Sequence, residues 1–79
     1  MNFQTAVQIL AGQVNDETIY TERIKVFPGN PSQDVEFTAR EMAIKIITEE
    51  TGADGDWIAN GDWSGHETAD SIRAEWQNA

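Results

Sequence analysis

The tetrad Thr38-Ala39-Arg40-Glu41 constrains this chain more than any other stretch. It matches a capping box, in which a Thr hydroxyl and a Glu carboxylate each satisfy a backbone N–H left free at a helix start. Gly52 is placed to end the same helix, because glycine enters the left-handed conformation of a helix stop without a Cβ clash. Between them Ala39, Met42, Ala43, Ile46 and Ile47 recur at helical spacing, while Glu41, Lys45 and Glu49 stack at i, i+4 on the wet side. A helix over Thr38 to Thr51 with one apolar stripe needs a partner layer, which the rest of the chain has to supply.

The flanking segments predict a sheet for that layer. Phe3, Thr5, Val7, Ile9 and Ala11 fall on one side with period two, although Phe3, Val7, Leu10 and Val14 also fit a helical stripe. We read a strand over Phe3 to Val14, because Asn15-Asp16-Glu17-Thr18 resembles a turn into a second strand, Ile19 to Phe27, rich in branched and aromatic residues. The two would pair as an antiparallel hairpin. Pro28-Gly29-Asn30-Pro31 then breaks the strand, and a loop runs to about Glu36.

Beyond Gly52, Ala53-Asp54-Gly55-Asp56 reads as a turn, and Trp57 to Trp63 as a short strand or tight hairpin on the Asn60-Gly61 signal. Ser64-Gly65-His66-Glu67 repeats the capping-box spacing and should open a C-terminal helix with Ala69, Ile72 and Trp76 on its buried side. The fold class expected is α+β: a small antiparallel sheet of three to four strands packed with two helices, in a single domain over residues 1–79. A chain of 79 residues has room for one compact core, and three Trp with 39% hydrophobic residues can fill it without staples. No Cys is present, which excludes disulfides, thiolate metal sites and cysteine nucleophiles. The N-terminus lacks the basic segment and apolar run of a signal peptide, so we expect a soluble protein in the cytoplasm of its cell.

The formal charge of −9 is unevenly placed. Residues 1–48 hold six acids and four bases, whereas residues 49–79 hold eight acids and Arg73 alone. Glu49, Glu50, Asp54, Asp56, Asp62, Glu67 and Asp70 form a run of seven carboxylates uninterrupted by Lys or Arg. Direct binding of nucleic acid or an anionic membrane is disfavoured, since both need cations to displace their counterions. Negative charge can serve solubility alone. Yet repulsion within the run opposes compactness, which argues that it serves recognition of a basic partner.

Other chemistry finds less support. Asn60, Asp62 and Ser64 with Gly65 match the start of an EF-hand loop, but Ser71 stands where calcium needs a bidentate Glu. A weak calcium-binding module is therefore an alternative only, and no metal or other cofactor is expected. His66 is the only His and lacks any recognisable nucleophile partner, so a locally bonded helix-start His is the simpler reading. Asp54, Asp56 and Asp62 could be imagined as glycosidase carboxylates, yet turn and cap duty suits them better in so short a chain. An enzyme is not expected. Of the three Trp, Trp76 and one of Trp57 and Trp63 should be core, leaving the other beside the acidic turn as an interface anchor.

In size, in the hairpin-helix-strand-helix order and in the clustered acids Glu49, Glu50, Asp54, Asp56, Asp62, Glu67 and Asp70, the chain resembles small acidic phage-encoded inhibitors of the anti-CRISPR type. Those proteins share no common motif, so no individual residue carries over. The resemblance implies a non-enzymatic blocker of a CRISPR effector in an infected bacterium. The expected function is inhibition of a basic nucleic-acid-binding protein by imitation of nucleic acid, with Glu49, Glu50, Asp54, Asp56, Asp62, Glu67, Asp70, Trp57 and Trp63 in the contact, as a monomer or homodimer. A small phage accessory or assembly protein that binds through the apolar edge of its hairpin is the alternative.

Overall fold

The computed structural model describes residues 1–25, 27–61, 63 and 67–79. Its element order is α1 (Phe3–Leu10), β1 (Tyr20–Ile24), β2 (Gln33–Phe37), α2 (Ala39–Thr51), α3 (Gly55–Asn60) and α4 (Ala69–Gln77). The class is α+β, but with four helices and one two-stranded antiparallel sheet among the described residues, not three to four strands and two helices.

The central helix forms as its sequence demands. Thr38 Oγ1 accepts from the Glu41 N–H at 3.2 Å, and Glu41 Oε1 accepts from the Thr38 N–H at 2.9 Å. Gly52 stops the helix at φ 74°, its N–H donating to Thr48 O at 2.8 Å. Ala43 and Ile47 are fully enclosed. The layer over them is helical. Ala6, Val7, Ile58, Trp63 and Ile72 join Ala43, Ile47 and Ala53 in the core, so the α2 stripe expected to lie on a sheet packs instead against α1, α3 and α4.

The expected strand over residues 3–14 is α1. Asn2 Oδ1 caps it by accepting from the Thr5 N–H at 2.8 Å. At the other end Gly12, at φ 77°, donates to Ile9 O, and the Gln13 N–H reaches back to Gln8 O at 2.9 Å, the Schellman pattern. Phe3, Val7 and Leu10 face the core as the competing helical stripe requires. The period-two spacing of Phe3, Thr5, Val7, Ile9 and Ala11 is coincidental, and Ala11 lies exposed past the helix end. With both caps satisfied locally and Ala6 fully buried, the helix buries its apolar stripe in the core.

With α1 removed from the sheet, β1 takes a different partner. It pairs with β2 in the register Tyr20↔Phe37, Glu22↔Val35 and Ile24↔Gln33, so residues 33–36, expected as loop, belong to a strand that runs to Phe37. Phe27 to Asn30 makes the turn of this hairpin: Pro28 sits second, Gly29 third at φ 85°, and the Asn30 N–H donates to Phe27 O at 3.2 Å. Lys45 Nζ fastens the hairpin to α2 by binding Glu22 at 2.9 Å.

The short strand or tight hairpin expected over Trp57 to Trp63 is likewise not found among the described residues. Residues 55–60 are α3, capped by Asp54 Oδ1, which accepts from the Asp56 N–H at 2.8 Å, and ended by Gly61 at φ 77°. A positive-φ glycine serves a helix stop as well as a hairpin turn, and burial of Ile58 and Trp63 decides for the helix. The C-terminal helix starts later than expected. Thr68 and Ser71 form its capping box, and the Ser64 to His66 part of the expected one lies outside the described residues. No helix among the described residues is long and apolar enough to cross a membrane.

Two outcomes follow from this arrangement. In urea denaturation Ile47→Ala costs about 2–5 kcal/mol, whereas Ile24→Ala, on the half-buried hairpin, costs about 1 kcal/mol or less. Glu41 is held below its ordinary carboxylate value by the Thr38 N–H and hydroxyl. Its depressed folded value adds stability that is present above its ordinary value and lost as pH falls through the folded one. Glu41→Gln should therefore flatten the acid limb of a melting-temperature profile, and an unchanged limb would refute this role.

Candidate partner-binding surface

The acids that stood as one run in sequence belong to three helix ends. Glu49 and Glu50 occupy the last turn of α2, Asp54 and Asp56 the cap and first turn of α3, and Asp70 the first turn of α4 with Glu67 just before it. Each of these six side chains belongs to an exposed residue. Asp62 lies outside the described residues, as does His66.

Three contacts gather the helix ends. Arg73 donates to Asp70 Oδ1 at 2.8 Å and to the carbonyl of Glu50 at 2.6 Å, so one guanidinium joins the start of α4 to the end of α2. Gly55 lies against Ile44 and Thr48, with room for a Cβ at 3.8 Å from each, which folds the start of α3 onto the second half of α2. Arg40 then donates to the carbonyl of Ala59 at 2.9 Å, fixing the end of α3 near the start of α2. The two short helices therefore bring Asp54, Asp56 and Asp70 toward the α2 end that carries Glu49 and Glu50.

Both arginines bond carbonyls in the last turn of another helix, where the macrodipole is negative and acceptors are free. Nothing local in the sequence gives Arg40 or Arg73 a role beyond its charge. Only the helix crossings reveal it, because the bonded carbonyls belong to residues 19 and 23 positions away.

Compensation within the cluster is partial. Lys45 Nζ binds Glu49 at 2.6 Å as well as Glu22, and these two carboxylates, Glu49 foremost, push the lysine above its ordinary value. Asp70 shares Arg73. Asp54 caps its own helix. Glu50, Asp56 and Glu67 make no ion pair with any described Lys or Arg.

Trp57 and Trp63 divide as expected, one enclosed and the other partly open, whereas Trp76, expected in the core, is half-buried. Trp63 is 4% exposed, and its indole N–H donates to Ile58 O at 2.8 Å, so it holds α3 to the core and is not open to a partner. Trp57 and Trp76 are both half-buried and pack together with ring centroids 5.2 Å apart. Trp57, next to Asp56, keeps a partly open ring beside the acids. Among the described residues no group of His, Asp and Glu is arranged to hold a metal ion, and the expected start of an EF-hand loop includes Asp62, Ser64 and Gly65, outside them.

Arg73→Gln separates structural from surface roles here. It should accelerate amide exchange across residues 69–77 and lower stability by about 1 kcal/mol. Unchanged exchange in α4 would show that the guanidinium does not tie the helix down. Comparison with family models, curated proteins and solved structures finds no match for this chain.

Proposed function

We propose that this protein is a non-enzymatic binding protein whose acidic end imitates nucleic acid and blocks a basic nucleic-acid-binding site, in the manner of anti-CRISPR inhibitors. The observation that carries the reading is the convergence of Glu49, Glu50, Asp54, Asp56 and Asp70 at neighbouring helix ends, with Glu50, Asp56 and Glu67 lacking any described cationic partner.

Duplex DNA carries about one negative charge per 1.7 Å of axis, and proteins that grip it present Lys and Arg to that field. A carboxylate takes a forked pair of hydrogen bonds from Arg as a phosphate does, so an array built for phosphates accepts it. Helix ends hold such groups in place at little entropic cost, because the backbone beneath them is already ordered. The target in this reading is a basic effector such as a CRISPR nuclease in the cytoplasm of an infected bacterium. Trp57 adds an apolar contact beside Asp56.

The test is competition between this protein and a nucleic-acid ligand for a purified CRISPR effector. Affinity should fall at least about tenfold between low and physiological salt. The triple variant Glu50→Lys, Asp56→Lys, Glu67→Lys should weaken binding on the order of a hundredfold while leaving the helical circular dichroism intact. Salt-independent binding, or a fully active triple variant, would overturn imitation.

A further inference from the structure

We infer that the open edge of β1 pairs with β1 of a second copy, making a two-fold dimer with a continuous four-stranded sheet. The hairpin is poorly served within one chain. No strand residue belongs to the buried core, both outer edges of the two-stranded sheet lack a neighbouring strand among the described residues, and Ile19 beside it is 56% exposed. Two-stranded ribbons alone are marginal in water, and unpaired edges are templates for another strand. The molecule is elongated: the radius of gyration is 13.4 Å with extents of 39 × 28 × 18 Å. A compact chain of this length would have a radius of about 12 Å.

Charge selects both the edge and the occupant. A two-fold axis through β2 would bring Asp34 and Glu36 of both copies together, which is repulsive. The segment around β1 behaves differently. Residues 17–25 hold two acids, Glu17 and Glu22, and two bases, Arg23 and Lys25, so this stretch is neutral in a chain of net −9 and is where two copies can approach.

A two-fold centred on Thr21 sets Thr21 opposite its own copy and Ile19, just before the strand, opposite Arg23, all three being exposed. It also brings Glu17, in the turn where Asp16 Oδ1 accepts from the Thr18 N–H, near Lys25 just past the strand end. The Arg23 stem then covers the exposed Ile19. Glu17 and Lys25, neither of which pairs with a described residue, find each other twice. On the inward side Glu22 keeps Lys45.

The dimer is read by sedimentation equilibrium across a concentration series at physiological salt. The mass should rise with concentration from 8.8 kDa toward twice that value. Lys25→Glu and Glu17→Lys alone should each weaken association about tenfold, since each turns two attractions across the axis into repulsions. The exchanged pair Glu17→Lys with Lys25→Glu should restore the original affinity, which loss of folding could not do. In the dimer the β1 amides should exchange more slowly than in dilute monomer. A monomer at about 1 mM, a dimer indifferent to Lys25→Glu, or an exchanged pair that stays weak would each overturn the inference.

Discussion

The enclosure of Ala43 and Ile47 on α2 is the contact on which the rest of the molecule depends. In a chain this short one helix cannot leave its apolar stripe to a single thin layer, and three other helices close over it. The residues that make this possible are small where backbones approach. Ala6 and Ala43 are both fully buried, so α1 and α2 pack without large side chains between them, while Ile58, Ile72 and Trp63 fill the space contributed by the later helices.

Four of the five cations are then committed to holding this arrangement together. Arg40 and Arg73 bind carbonyls at the ends of α3 and α2, Lys45 ties the hairpin to α2, and Arg23 pairs with Asp34 across the strands. Arg23, Lys45 and Arg73 each pair with a carboxylate in doing so, and the negative surface follows from the excess of 14 acids over 5 cations.

The fold is legible in the sequence where its signal is local and redundant. For α2, cap, stripe and stop agreed, and the helix formed with those bounds. For α1 two periodicities competed over Phe3 to Val14, and the turn-like Asn15 to Thr18 favoured the wrong one, although Asn2 and Gly12 already carried the helix cap signals. Gly61 misleads in another way: Asn60-Gly61 reads as a hairpin signal, but the positive φ of Gly61 ends a helix, and helix stops and hairpin turns use the same backbone state. The strand over residues 33–37 was missed because Val35 and Phe37 are its only half-buried side chains, too few to stand out between prolines and a capping box.

For the surface, the identity of the acids was legible and their company was not. Composition and chain order alone placed seven carboxylates in an uncompensated run, because charge is a property of residues and needs no fold. Which of them meet, which are capped or paired, and that Trp63 is sealed inside were decided by helix crossings between residues far apart in the chain. Local propensity fixes where a helix begins and ends, but a side chain's neighbours across the core follow from which apolar stripes find room against one another, and only the packed structure holds that information.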